Sequence, residues 1–364
     1  MRAKFKGCSI RRASLFAAFL TLPAAIGFSE PAPSLPLAGG LPVVVRTGLR
    51  FEQIAAVDEN EGSCTATVDL RLRWTDTRLA YPKEDGSAFQ NFKDVAAEAR
   101  LAGMWVPRVE LANTIGSPTF RTSSLRIYPE GRVELMQRTT TKFATSFDPQ
   151  RFPFDQQKLA VEVVVRGEDQ DRVALDYHQD DLEFSGSGSD RNPDRWALGL
   201  TNIRREPLPG LYGALHSRLW VELQIRRQFT MAMAPIFIPL FASLLIPLMA
   251  IYMNKVEDGE FQIDAFELCN IVIGGLFAVI ALNFTVNSAY PMLSGADNTV
   301  TRLFGLNYLV LGAALAIIIV LFRFNLVQRA CGKYVQEQLY LGIVWAGPLL
   351  VLATALAVLL VAMA

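Results

Sequence analysis

The chain has 364 residues, of which 51% are apolar, and its 35 basic side chains balance 35 acidic ones. The apolar content excludes intrinsic disorder, and the zero net charge argues against a nucleic-acid-binding protein, which needs a basic face. At about 150 residues per domain, the length predicts two or three domains. The four cysteines show neither metal-ligand spacing nor an obvious disulfide partner, so we expect no metal site and no cofactor. They are Cys8, Cys64, Cys269 and Cys331.

The start of the chain predicts a secretory signal peptide. Five basic residues lie within the first twelve positions, an apolar run covers residues 15–28, and small or proline-rich residues follow. This is the order of segments in a cleaved leader. We predict a signal peptide over residues 1–29 with cleavage just after Ser29, and an uncleaved anchor helix is the alternative. Residues 30–227 are then expected outside the cytoplasm.

The exported part has the pattern of a β domain. Apolar residues alternate with mostly polar ones along residues 67–74, 159–165 and 218–226. A period of two over such lengths indicates strands with one buried face. This predicts an all-β, antiparallel, immunoglobulin-like sandwich of about ten strands over residues 30–227, with one short helix at residues 88–100.

Nothing in the exported part has the spacing of a catalytic site. The two histidines, His178 and His216, are isolated in the sequence. There is no nucleophile elbow, no paired-histidine zinc motif and no glycine-rich phosphate loop. We therefore predict no catalytic residues and no enzyme.

Four uncharged apolar runs crowd the last third of the chain. Each supplies about 20 residues, the length that a helix needs to cross roughly 30 Å of hydrocarbon. We predict a transmembrane domain over residues 228–364, with helices at about 229–253, 266–288, 302–323 and 338–362.

The signal peptide decides the orientation of these helices. After an exported first half, four crossings place residues 255–267 and 323–337 in the cytoplasm and the C-terminus outside. The second loop carries three basic residues against one acid, as the positive-inside rule requires. The first loop carries one lysine against five acids, which the rule does not explain.

Short motifs in the exported part occur in the order found in one family. Residues 152–157 read Phe-Pro-Phe-Asp-Gln-Gln and resemble the F-P-F-D-x-Q segment of the Cys-loop receptors, the pentameric ligand-gated ion channels. Residues 74–79 resemble the family's W-x-D-x-R-L strand end. Residues 105–107 with Asn113 resemble its W-x-P-D segment, although Arg108 stands where the acid is usual.

The membrane region continues the resemblance, which spans residues 50–364. Arg226 and Arg227 precede the first helix, Pro239 lies within it and Pro291 follows the second helix, as in the family. Two cysteines bracket the F-P-F-D segment in the animal receptors, and here those positions hold Thr145 and Leu159. The chain therefore resembles the prokaryotic branch, which lacks this disulfide, and is expected in a bacterial inner (plasma) membrane with its β domain in the periplasm.

The resemblance implies a homopentamer in which this chain and four identical subunits surround a central pore in the lipid bilayer. The second helix would line the pore, and the family register puts seven of its residues on one face, at helical spacings of three and four. From the stripe alone, its phenylalanines would fit a lipid-facing or core position better, and the register favours the pore. The seven residues are Glu267, Asn270, Gly274, Phe277, Ala281, Phe284 and Ser288.

Roles within the stripe follow from its chemistry. Five Glu267 carboxylates would form a ring that attracts cations, so we predict a cation-selective filter of Glu267 and Asn270. This ring and the neighbouring acids would also explain the acidic cytoplasmic loop. Apolar rings exclude water and block hydrated ions, which predicts a hydrophobic gate of Phe277, Ala281 and Phe284.

Two further sites are implied by the resemblance. The residues expected to couple the β domain to the pore are Phe152, Pro153, Phe154, Asp155, Arg227 and Pro291. The residues expected to bind a ligand are Arg108, Arg166, Glu168, Asp169, Tyr212 and His216. Only Tyr212 remains of the family's aromatic box, so an acetylcholine-like cation is not expected. The charges suit a small anionic or zwitterionic ligand or no ligand, and protons are the second candidate stimulus.

The sequence thus predicts a ligand-gated, cation-selective ion channel opened by an extracellular or periplasmic stimulus on the β sandwich. The alternative is a single-subunit membrane sensor or transporter with an extracytoplasmic β domain. That alternative needs a signalling domain or paired discontinuous helices. The cytoplasmic loops are too short for the first, and only the first helix is rich in proline.

Overall fold

The computed structural model describes residues 34–83, 88–188, 195–257 and 260–363. The predicted signal peptide, residues 1–29, lies outside these ranges. The described chain consists of a β sandwich followed by a group of long apolar helices. The strands of the sandwich are β1 (Val43–Asp58), β2 (Ser63–Thr75), β3 (Gln90–Lys93), β4 (Val109–Leu111), β5 (Thr114–Ile127), β6 (Arg132–Ala144), β7 (Gln156–Val165), β8 (Val173–Asp176), β9 (Trp196–Arg205) and β12 (Arg218–Arg227).

Two sheets form the sandwich, as the alternating pattern predicts. The six-stranded sheet has the order β3-β5-β6-β2-β1-β8, and the four-stranded sheet has the order β4-β7-β12-β9. Leu159 and Val163 of β7, with Leu219 and Leu223 of β12, point inward and are fully buried, while Lys158 and Gln224 beside them are exposed. The sandwich is not wholly antiparallel, because β8 pairs with β1 in parallel along Val43–Arg46. A small hairpin, β10 (Leu208–Pro209) and β11 (Leu215–His216), extends from the four-stranded sheet.

The prediction of one helix at residues 88–100 needs correction. Residues 90–93 form β3 on the edge of the larger sheet, and helix α1 covers Asp94–Ala102. A second short helix, α2 (Gln179–Phe184), was not predicted, because its residues are mostly polar and have no apolar period.

Helix α2 is anchored to the larger sheet by charge. The side chain of Asp181 is fully buried and forms ion pairs with Arg46 of β1 and with Arg71 and Arg73 of β2. Arg71 Nη2 lies 3.0 Å from Asp181 Oδ1. Burial alone raises the pKa of Asp181, but the backbone N–H of His178 and the arginines outweigh it and hold this pKa below its ordinary value.

The membrane region contains α3 (Phe229–Tyr252), α4 (Ala265–Ala289), α5 (Thr299–Ile317), α6 (Leu326–Cys331) and α7 (Lys333–Met363), with a π-helical turn continuing α5 over Ile318–Arg323. Four segments of these helices are long and apolar enough to span a bilayer. A short hairpin of β13 (Val256–Glu257) and β14 (Glu260–Phe261) connects α3 to α4.

The last helix begins at Lys333, earlier than the predicted residue 338. Its first turn contains the buried Gln336. Gln336 donates from Nε2 to Asn325 Oδ1 at 3.1 Å, and its Oε1 accepts from the backbone N–H of Gln328 at 2.9 Å. These hydrogen bonds hold α6 against the start of α7. The mostly polar residues 333–337 are therefore helical, although the apolar run that predicted this helix begins only at residue 338. The third predicted helix also starts earlier, because Asn298 caps α5 by accepting from the N–H of Thr301 at 3.0 Å.

Candidate functional site

The sandwich meets the helices at a buried arginine. Arg227, the last residue of β12, donates from Nε to Asp155 Oδ1 at 2.7 Å and from Nη2 to Asp155 Oδ2 at 3.0 Å. This is the bidentate geometry in which a guanidinium and a carboxylate interact most strongly. Both side chains are 2% exposed.

A second carboxylate completes this cluster, and no motif in the sequence points to it. Glu59, in the turn between β1 and β2, accepts from Arg227 Nη1 at 2.9 Å and from Nη2 at 2.5 Å. Burial alone lowers the pKa of Arg227, but the hydrogen bonds to Glu59 and Asp155 outweigh it and raise this pKa above its ordinary value. The arginine therefore stays charged and holds two segments of the sandwich base together.

Aromatic rings and an amide fix the positions of this pair. The guanidinium carbon of Arg227 lies 4.8 Å from the ring centre of Phe152 and 4.3 Å from that of Trp196, within the range of cation–π contacts. Gln157 donates from Nε2 to Asp155 Oδ2 at 2.7 Å and to the carbonyl of Asp148 at 2.7 Å. Each partner of the pair is thus held from more than one side.

The loop between β6 and β7 enters the helical core. Phe152 is fully buried and packs with the apolar residues of the helices, not with those of the sandwich. Its ring centre lies 5.8 Å from that of Tyr290, which follows the last residue of α4. The peptide between Phe152 and Pro153 is cis, and Pro291 opens a short 3₁₀ turn over Pro291–Leu293. The predicted coupling residues Phe152, Asp155 and Arg227 therefore lie together, with Pro291 next to Tyr290.

Helix α4 presents two different faces. One face is buried against the other helices and contains Leu268, Val272, Val279 and Val286. All seven residues of the predicted pore stripe are exposed in the single chain, on the opposite face. Phe277 is 67% exposed and Phe284 is 75% exposed, so neither belongs to the core of its own subunit.

The acidic end of the stripe is well defined. Asp264 caps α4 by accepting from the N–H of Phe266 at 3.2 Å, which starts the helix and places Glu267 in its first turn. Glu267 and Asn270 are exposed and lie one turn apart. Glu257 and Glu260 of the preceding hairpin are also exposed, and Asp258 lies outside the described residues.

The predicted ligand residues surround the loop between β7 and β8, where most of the charges pair with one another. Arg166 Nε donates to Glu110 Oε2 at 2.9 Å, and Arg172 Nη1 lies 2.8 Å from Glu168 Oε2. His216 Nδ1 is 3.1 Å from the carbonyl oxygen of Glu168. Glu110 was not foreseen, because its pairing with Arg166 depends on how β4 aligns with β7. Arg172 was not foreseen either, although it lies only four positions after Glu168 in the same loop.

The remaining predicted ligand-binding residues are more exposed or form fewer side-chain contacts. Asp169 is exposed on the same loop, and Tyr212 is fully exposed at the turn of the β10–β11 hairpin. Among the described residues, the guanidinium of Arg108 has no hydrogen-bond or ion-pair partner. Arg108 and Glu168 line a cavity of about 520 Å³ between the two sheets, whose wall includes Trp105. Two of the predicted ligand residues therefore border a concave feature of the sandwich.

Comparison with known proteins gives concordant matches. The model of the neurotransmitter-gated ion-channel ligand binding domain matches residues 33–229. A proton-gated ion channel of Gloeobacter violaceus is 25% identical over 271 residues, which cover 74% of this chain and 70% of that protein. The gamma-aminobutyric acid receptor subunit theta of Mus musculus is 26% identical over 224 residues, which cover 60% of this chain and 34% of that subunit. The human subunit rho-3 is 30% identical over 149 residues, which cover 40% of this chain and 29% of that subunit.

Proposed function

Because the chain belongs to the Cys-loop receptor family of ligand-gated ion channels, we propose that five copies assemble in a bacterial inner membrane around a pore lined by α4. The β sandwich would lie in the periplasm and receive the stimulus. The observation that carries this proposal is the exposed stripe of α4, which has a carboxylate at one end, apolar residues in its outer half and a hydroxyl at the other end. Phenylalanines alone would suit lipid, but an ionised acid in a membrane helix needs water or a partner.

The filter is proposed at the cytoplasmic end. Five Glu267 side chains would form an acidic ring, with Asn270 one turn above it to hydrate the passing ion. Such rings favour cations by direct electrostatic attraction. The exposed acids of the β13–β14 hairpin would add to the negative potential at this mouth.

The gate is proposed in the outer half of the stripe. Rings of Phe277, Ala281 and Phe284 would form an apolar constriction that loses its water when narrow, and an ion cannot shed its hydration shell there. Gly274 lies just below and faces open space, so the pore would be wider at that level.

Opening is proposed to pass through the junction at Arg227. A movement of the sandwich would displace the loop that holds Asp155 and Phe152, and Phe152 would transmit it to Tyr290 at the end of α4. The bidentate pair is directional, because its two hydrogen bonds align the arginine with the carboxylate.

Two stimuli are candidates. A small anionic or zwitterionic ligand is supported by the residues around the β7–β8 loop and by the cavity that Arg108 and Glu168 line. Protons are supported by the name of the Gloeobacter relative, a proton-gated ion channel, and by the position of His216 among the acidic residues of this loop.

Current recorded across a planar bilayer containing the purified protein tests the proposal. We expect steps of acidic pH or small carboxylates and amines, applied on the sandwich side, to open a cation current. Absence of current under all these conditions would contradict the channel function and favour a sensor or transporter. Activation by simple quaternary amines that Tyr212→Ala abolishes would contradict the proposed ligand class.

A further inference from the structure

A second pocket lies on the outer face of the four-stranded sheet, away from the predicted ligand residues. It measures about 870 Å³, within the range of small-molecule sites. Its floor is formed by Lys158 of β7, Trp220 of β12 and Arg204 of β9, and its rim by Thr145 and Phe147, which follow β6. The floor residues alternate along each strand with the inward-facing core.

Two buried polar atoms in this pocket have no partner within the described chain. They are the indole Nε1 of Trp220 and the hydroxyl of Thr145. Buried groups of this kind are rare in folded proteins and point to a bound molecule or ordered water. An indole N–H can only donate, so the missing partner must supply an acceptor.

An exposed lysine in the pocket favours an acceptor that is negatively charged. Lys158 Nζ lies 3.3 Å from Glu222, which also accepts from Arg204 Nη2 at 2.9 Å, while Arg204 Nη1 lies 3.4 Å from Glu206. Lys158 therefore shares its carboxylate with Arg204, whereas Arg204 has a second acid beside it. Both cations remain more than half exposed. Asp148, the other acid of the pocket, accepts from the backbone N–H of Gln150 at 3.0 Å.

We propose that this pocket binds a small carboxylate with an apolar body. The carboxylate would accept hydrogen bonds from Trp220 Nε1 and the Thr145 hydroxyl and would partly neutralise Lys158. The apolar body would pack against the rings of Trp220 and Phe147. An ordered water alone would satisfy the two orphaned groups but would add no counter-charge for Lys158, which shares Glu222 with Arg204.

The pocket also reaches the junction at Arg227. Gln157 lines the pocket and donates from its amide to Asp155 Oδ2 at 2.7 Å and to the carbonyl of Asp148 at 2.7 Å. A molecule bound in the pocket would therefore lie beside the residue that donates to Asp155 in its pair with Arg227. We infer that occupancy of the pocket modulates gating. This modulatory part rests on the proposed channel function, whereas the binding of a carboxylate does not.

Calorimetric titration of the detergent-solubilised full-length assembly with benzoate tests binding. We expect benzoate to bind and benzyl alcohol, which lacks the carboxylate, to bind at least tenfold more weakly. Trp220→Phe and Thr145→Val, which remove the two donors and keep the packing, should each weaken benzoate about tenfold. Trp74→Phe and Thr201→Val are matched controls, because Trp74 Nε1 and Thr201 Oγ1 are also buried without a partner but lie outside the pocket.

Several results would overturn the proposal. They are the absence of benzoate binding, equal binding of benzyl alcohol, or equal weakening in the control variants. Bilayer current tests modulation separately, since benzoate should change the stimulated current of the wild type, and Thr145→Val should need about tenfold more benzoate for the same change. Binding without any change of current would overturn only the modulatory part. A protein that binds benzoate but conducts under no condition would overturn the channel function together with that part.

Discussion

The ring centre of Phe152 lies 5.8 Å from the ring centre of Tyr290. One residue belongs to a loop of the β sandwich, and the other ends the helix that carries the proposed pore stripe. Phe152 is fully buried at this contact, so the loop cannot move without displacing groups of the helical core. The Arg227 cluster is joined to this contact, because the guanidinium carbon of Arg227 lies 4.8 Å from the centre of the same ring.

Asp155→Asn should separate a gating role from a structural one. The amide keeps the shape of the carboxylate but not its charge, and Arg227 retains Glu59 as an ionic partner. We expect assembly to persist and the stimulated current to fall about tenfold, a usual size for a coupling energy. Size-exclusion chromatography and bilayer recording measure the two effects. Asp69→Asn is the control, because Asp69 forms a bidentate pair with Arg138 far from the helices; loss of assembly in Asp155→Asn would instead support a structural pair.

Glu267 should determine ion selectivity. In a potassium chloride gradient we expect the wild-type current to reverse near the cation equilibrium potential, because an acidic ring repels chloride. Glu267→Gln should move the reversal potential towards zero. Glu260→Gln, at an exposed acid of the β14 strand outside the stripe, should move it much less, because its carboxylate lies outside the proposed ring. A wild-type reversal near the chloride potential would disprove cation selectivity.

Phe277→Ser should raise the current in the absence of stimulus. A hydroxyl in place of each ring keeps the constriction hydrated and removes the dewetting barrier, and Phe284→Ser should act in the same direction. Ile271→Ser is the matched control, since Ile271 is an exposed apolar residue of α4 outside the stripe. Unchanged leak in both phenylalanine variants would mean that these rings face away from the pore.

Cysteine labelling should report the orientation of the chain. Cys331 is exposed on α6 and Cys64 is buried in the sandwich, where burial raises the pKa of its thiol to about 12. Since the thiolate is the reactive form, a membrane-impermeant maleimide at pH 8 should modify Cys331 and not Cys64. Peptide mass analysis should find this label only when the reagent reaches the cytoplasmic face. Labelling of Cys331 from the side of the sandwich would reverse the proposed topology.

Asp181→Asn should weaken the sandwich and change its response to acid. The folded-state pKa of Asp181 lies below its ordinary value of 3.8, so its contribution is complete above that pH and disappears as the pH falls through the folded pKa. At neutral pH the variant should lose about 3 kcal/mol, because three half-buried arginines lose the buried carboxylate that they share. Thermal unfolding followed by near-UV circular dichroism at pH 7 and pH 3 measures both effects. Asp180→Asn, at a side chain that is 52% exposed, should have a much smaller effect; equal losses would contradict a special role for Asp181.

The features that depend on local periodicity could be predicted from the sequence. Alternation along β7 and β12 predicted a two-sheet sandwich, and uncharged apolar runs predicted four spans, because strand and helix periods and the thickness of a bilayer act on neighbouring residues. The motif at residues 152–157 indicated the family. The family register of the second helix then selected a stripe of α4 that is exposed in the single chain.

Contacts between distant residues could not be predicted in this way, because they depend on how the whole chain packs. Glu59 and Arg227 are 168 positions apart, and nothing near Glu59 in the sequence identifies it as a partner. The parallel pairing of β8 with β1 and the earlier start of α7 likewise depend on contacts with other segments. The unpaired donors of Trp220 and Thr145 exist because strand register and a returning loop bury both without supplying an acceptor. Such arrangements come from packing across the whole chain, which local side-chain preferences do not encode.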